Sequence, residues 1–138
     1  MRLLLFLPFF AFAVGCTGSK NASMKGNKLN GTWVPTKQEL SGTSIPEAAF
    51  ANQKLIISDS NYTFIAESAD KGVVRYTGDK MDIYGRDGVN AGKHFTALYK
   101  YENSELTICY NLLGNGYPES FDTKGKAMYF LSVFKRSP

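Results

Sequence analysis

Histidine is almost missing from this 138-residue chain: His94 stands alone. A lone histidine excludes the multi-histidine sites typical of zinc enzymes. Cysteine is nearly as scarce, with only Cys16 and Cys109. Tryptophan occurs once, at Trp33, and proline five times. No apolar run reaches the roughly 20 residues that a helix needs to cross a bilayer. Internal repeats, Pro-rich tracts and basic runs are also absent. The charge balance is mild, with 16 Lys and Arg against 12 Asp and Glu, a net charge of +4 and a pI near 9.0. Scattered lysines such as Lys20, Lys25 and Lys28 read as solvated charge, and no nucleic-acid partner is expected.

What is present begins with an export pattern. Met1-Arg2 is a short basic start, and Leu3 to Val14 is apolar apart from Pro8. That length suits the core of a signal peptide and is too short for a membrane span. Ala13-Val14-Gly15-Cys16 follows, and these small residues before a cysteine resemble the lipobox of bacterial lipoproteins. Ala13 stands where that pattern prefers Leu. Ala11-Phe12-Ala13 offers an ordinary signal peptidase a second site. The resemblance implies a signal peptide over residues 1–15 and a lipid-modified Cys16 as the first mature residue. It also implies two or more acyl chains, enough for stable membrane attachment where one is marginal. A thiol at the end of a signal is better explained by lipid than by a disulfide to Cys109. Thr17, which is not an acid, points in enteric-type bacteria to the outer membrane, facing the periplasm or the cell surface. Residues 16–29 are dominated by Gly, Ser, Asn and Lys and read as a flexible tether. A dozen such residues span roughly 20 Å.

From residue 30 to residue 138 the pattern is that of one β domain. Roughly 120 residues follow the signal, and a chain of that size buries about two thirds of its unfolded surface, enough for one core without disulfides. Aromatic and β-branched runs alternate with Gly, Asn, Asp and Ser. Eight strands are expected: Gly31–Glu39, Lys54–Ser58, Tyr62–Ala66, Gly72–Tyr76, Lys80–Tyr84, His94–Tyr101, Glu105–Asn111 and Ala127–Lys135. One short helix, Pro46–Asn52, is expected in the first loop, because Pro suits a first helical turn and Glu47 complements the positive helix end. The clearest hairpin runs from Phe95 to Tyr110. A turn at Glu102-Asn103 would set Lys100 against Glu105 and Tyr99 against Leu106, whereas a turn at Asn103-Ser104 would set Glu102 against Glu105; the opposite-charge register is preferred. Sequential strands with short turns close naturally into an eight-stranded antiparallel up-and-down barrel, which removes free edges.

Asn30-Gly31-Thr32-Trp33 at the first strand resembles the Gly-x-Trp opening of lipocalins, and Arg136 resembles the basic residue at their last strand. The likeness implies that Arg136 packs over Trp33 and closes the barrel base, a cation over an indole worth roughly 0.5–2 kcal/mol. The domain is also similar to uncharacterised lipocalin-like bacterial domains abundant in planctomycetes. The shared features are Gly42 and Pro46 before the second strand, Ala97-Leu98-Tyr99, Leu106-Thr107-Ile108-Cys109 and a final Lys135-Arg136. That family carries Arg-Pro-x-x-Phe where this chain has Tyr117-Pro118-Glu119-Ser120-Phe121. Its activity is not agreed, so the resemblance speaks to fold.

No catalytic motif emerges. His94 and Cys109 are expected on the outer face as diagonal neighbours roughly 7–8 Å apart, too far for a nucleophile–base pair, which needs about 3 Å. Asp79 with Asp82, and Asp59 with Glu67, read as solubilising charges. Asp87-Gly88-Val89-Asn90 lacks the regular acids of a calcium loop, and neither a metal nor a cofactor is expected. The aromatics are the remaining lead. Phe64, Val74, Ile83, Phe95, Tyr99, Ile108 and Phe130 are candidates to line the barrel interior. An eight-stranded barrel is either packed by side chains or holds one small ligand, and the sequence leaves both open. The loops Ser41–Gln53, Gly85–Gly92 and Leu112–Asp122 are long enough to act as lids or contact surfaces, with Pro46–Asn52 a possible lid. The leading expectation is a non-enzymatic, membrane-anchored protein that binds a small apolar or amphipathic ligand. The alternative is an envelope module, such as an assembly factor, inhibitor or immunity-type lipoprotein, that engages a protein partner through its loops.

Overall fold

The structure is a computed structural model that describes residues 26–138. The expected export signal, residues 1–15, and Cys16 lie outside the described residues. The chain forms an antiparallel sheet of nine strands in the order β2-β1-β3-β4-β5-β6-β7-β8-β9, closed by pairing of β1 with β9. The strands are β1 (Gly31–Leu40), β2 (Thr43–Ser44), β3 (Lys54–Ser58), β4 (Asn61–Ile65), β5 (Ala69–Thr77), β6 (Lys80–Asp87), β7 (His94–Glu102), β8 (Glu105–Asn111) and β9 (Tyr129–Arg136). The two-residue β2 is a stub hairpin on β1, so the barrel itself has eight strands in up-and-down order.

The expected helix shrinks to a single 3-10 turn, Glu47–Ala49, with Pro46 extended before it. A run this short cannot recover the cost of helix nucleation, and Phe50, which ends the turn, is buried at 3% exposure.

The period-2 pattern explains which residues face inward. Leu55 and Ile57 on β3, Met81 and Ile83 on β6, and Leu106 and Ile108 on β8 all join one core with Trp33 and Phe134. On β1 the register against β9 shifts between Pro35 and Lys37. Pro35 cannot donate to a ladder, and a bulge is where a strand tolerates that. The bulge returns Gln38 to the interior face, where its Nε2 donates to Gln53 Oε1 at 2.6 Å and to Ser132 Oγ at 3.4 Å.

The β7–β8 hairpin corrects the expected register. Glu102 pairs with Glu105, Tyr101 with Leu106 and Tyr99 with Ile108, so the turn is Asn103-Ser104. Both turn residues have positive φ, 52° and 64°, as a two-residue primed turn requires. Either turn puts two non-glycine residues in that region, but the observed one places Asn103 first, the position where primed turns favour Asn. The like-charge pair costs only about 0.2–1 kcal/mol, and Glu105 also faces Lys135 across β9. The placing of Asn103 in the turn therefore outweighs the cross-strand charge.

The tether boundary also moves. Leu29, grouped with the tether by composition, is 1% exposed and packs in the core. On either side of it, Asn27 and Asn30 are pinned to the β3–β4 turn through Asp59.

Candidate functional site

The registers sort the barrel into two ends. The chain enters at Gly31, leaves at Arg136, and makes its tight β3–β4, β5–β6 and β7–β8 turns at one end, the base. The base is shut by Trp33, which is fully buried. Its Nε1 donates to Leu29 O at 2.8 Å, and its ring meets Tyr101 edge-on at 5.6 Å. The Arg136 guanidinium lies 4.3 Å from the Trp33 ring centroid and donates to Lys28 O at 3.0 Å and to Asn30 O. Gly31 has φ 136°, and a Cβ there would sit 2.8 Å from Arg136 Nη1. The glycine of Gly-x-Trp thus makes room for the arginine that covers the tryptophan.

All the long loops lie at the other end, the mouth, and beneath them is a cavity of about 150 Å³. Six of the seven candidate residues line it: Phe64, Val74, Ile83, Phe95, Ile108 and Phe130. Tyr99 does not. It faces inward one step nearer the base, where its ring meets Tyr76 edge-on at 5.8 Å and its hydroxyl donates to Gly78 O at 3.0 Å. The loop Ser41–Gln53, including the stretch read as a lid, contributes no wall residue, whereas the next two loops supply Asn90 and Leu112.

The wall also contains polar groups that sequence reasoning missed. Asp70 is buried at 5% exposure and lines the cavity. The strand was expected to start at Gly72, which left Asp70 in a turn. β5 in fact begins at Ala69, and period 2 then puts Asp70, Gly72, Val74 and Tyr76 on the same inward face. Asn90 closes over Asp70: its backbone N–H donates to Asp70 Oδ1 at 3.1 Å and its Nδ2 to Oδ2 at 3.3 Å. Two glycines make this possible. A Cβ on Gly85 would collide with Asn90 O, and one on Gly88 would collide with Asp70 Oδ1. Any side chain at Gly85 would push the loop out of the mouth.

Three phenols complete the wall: Tyr62, Tyr76 and Tyr110. Burial pushes all three above the ordinary tyrosine value, with the Asp70 charge adding at Tyr62, so they stay neutral donors. The buried Tyr76 hydroxyl makes no well-formed hydrogen bond, and the Asn27 side chain beside it offsets only part of its upward shift. The cavity is therefore apolar over most of its wall, with one carboxylate, one amide and a few phenols.

The chain between β8 and β9 forms an outer layer instead of a lid. Thr96 Oγ1 donates to Gly116 O at 2.6 Å, Thr123 receives Gly42 N–H at 2.9 Å, and Lys100 sits 4.7 Å from the Phe121 ring centroid. This strap buries the outer face of β8, so Cys109 points outward yet has no exposure. Desolvation first, then the charges of Glu39 and Asp122, pushes its thiol up to about 11. The observed register sets Cys109 opposite Leu98 and Leu131, four positions along β7 from His94, so the two are not the diagonal neighbours expected. His94 instead bonds Asp82 at 2.7 Å and stacks on Tyr84 with centroids 4.6 Å apart. The Tyr117 hydroxyl donates to the other Asp82 oxygen and latches the strap to β6. Burial works against the Asp82 carboxylate, but the Tyr117 and His94 hydrogen bonds and the charges of His94 and Arg75 outweigh it and hold it below the ordinary carboxylate range. Asp82, read from sequence as a solubilising charge, is thus a strap anchor. Among the described residues no three His, Cys, Asp or Glu side chains gather as metal ligands.

Comparison with protein-family models, with curated proteins and with solved structures finds no match to this chain.

Proposed function

We propose that this protein is a membrane-anchored, lipocalin-like binding protein that holds a small apolar or amphipathic ligand in its barrel and performs no catalysis. The observation that carries the reading is the cavity: about 150 Å³ under the mouth of a closed barrel, walled mainly by Phe64, Val74, Ile83, Phe95, Ile108 and Phe130. A closed base and a mouth ringed by loops favour uptake from one side. In this reading Cys16 carries the lipid that keeps the barrel at the envelope, with the outer membrane favoured. Replacement of Cys16 by serine would then release the protein from the membrane fraction; an unchanged distribution would count against the anchor.

Native mass spectrometry tests the binding itself. A reproducible extra mass on the exported protein, lost on denaturation, is the expected result. A bare mass, even after incubation with a lipid extract, would overturn it.

A second reading rests on one observation. The large exposed apolar side chains among the described residues are Leu40, Val89, Leu113, Tyr117 and Met128, and all but Leu40, at the mouth end of β1, lie on mouth loops or the strap. That distribution suits an envelope protein partner docking there. Pull-down from membranes with Val89→Ser and Leu113→Ser together would lose such a partner; an unchanged partner set would count against the docking surface.

A further inference from the structure

Asp70 is the one carboxylate on a cavity wall that is otherwise apolar, phenolic or amide. At 5% exposure it has left water, and it has no cation: the only ion pair among the described residues joins His94 and Asp82. Its two hydrogen bonds both come from Asn90, at 3.1 and 3.3 Å. A carboxylate offers about four acceptor sites, so half of this one is unused. The Asn90 clamp uses one acceptor site on each oxygen and brings no counter-charge. An uncompensated buried carboxylate is costly, and a cation brought by a ligand would remove that cost. Tyr76 also lines the cavity, with its hydroxyl buried beside Asn27 toward the base. A volume of about 150 Å³ is on the order of that which accepts a benzene-sized guest in other proteins.

We infer that the cavity selects a small single-ring organic amine, its ammonium paired with Asp70 and its ring held among Phe64, Ile83, Phe95 and Ile108. This deepens the binding reading above and rests on it.

The test is an NMR titration of the intact protein at pH 7, following the methyl signals of Ile83 and Ile108. The probes are benzylamine and ethylbenzene, which share a shape and differ in charge. Benzylamine is expected to bind about ten- to a hundred-fold more tightly, the range of a charge-assisted hydrogen bond. In Asp70→Asn, which keeps an acceptor for the Asn90 amide, that preference should collapse while ethylbenzene binding persists. Equal affinity of the two probes in the unaltered protein overturns the amine proposal and leaves the apolar-ligand reading standing; this comparison needs no variant to fold. Preference retained in folded Asp70→Asn overturns the role of Asp70. If neither probe shifts the methyl signals, the proposal and the binding reading fall together.

Discussion

Two side chains show how much a single residue decides here. Trp33 closes the base with its ring buried, its N–H bonded to Leu29 O and Arg136 stacked above it. Trp33→Ala should cost about 3–5 kcal/mol in urea melts, the range for a large buried aromatic, and a loss under about 1 kcal/mol would show that the base closes by other means. Cys109 makes the opposite point, since it is shielded by a layer that no local pattern announces. With its thiol held up to about 11 by burial, little reactive thiolate exists at neutral pH. In a Cys16→Ser chain, native Cys109 should react with a thiol reagent at least about a hundred-fold more slowly than in the urea-unfolded protein. Similar rates would mean that the strap opens freely.

Elements are decided by competition between local rules. In the β7–β8 turn, the place of Asn103 prevailed over cross-strand charge, and that leaves Ser104 in a left-handed conformation at φ 64°. Ser104→Gly removes the strain, worth roughly 1–2 kcal/mol, at some cost in unfolded-chain entropy. A net gain of about 0.5–1 kcal/mol is expected by denaturant melts; destabilisation would mean that Ser104 makes a compensating contact. The strap between β8 and β9 is held partly by Tyr117 and His94 on Asp82. The folded Asp82 value lies below the usual one, so its contribution is complete above about pH 4 and is lost as pH falls through the lower folded value. Between about pH 5 and pH 3, Asp82→Asn should lose less stability than the unaltered protein. Parallel losses in the two would place the acid sensitivity elsewhere.

At the scale of the whole molecule the question is whether the barrel interior is a chamber or a filled core. Val74→Ile answers it directly, because Val74 lines the cavity. An added methylene that fills empty apolar space should stabilise by up to about 0.8 kcal/mol, whereas the same group in a packed interior would cost about 1–3 kcal/mol. Much of the architecture was legible from the chain. Alternation of apolar and polar residues along β7 and β8 named the strands and their inward faces, and Gly31-x-Trp33 with Arg136 named the two ends of the β1–β9 closure. These signals are local, because period 2 and a single turn suffice to carry them. Other features were not legible. Asp70 became a wall residue only because β5 runs three residues beyond its apolar stretch, and Asn90 reached it only because Gly85 lets the loop fall inward. Cys109 was buried by residues far along the chain, and Tyr99 was displaced from the cavity by its height in the barrel. The sequence by itself determined which residues alternate and where the chain turns, since those depend on neighbours in the chain. Tertiary structure alone decided which polar groups share the cavity and which outward face is dry, since both depend on register around a closed ring.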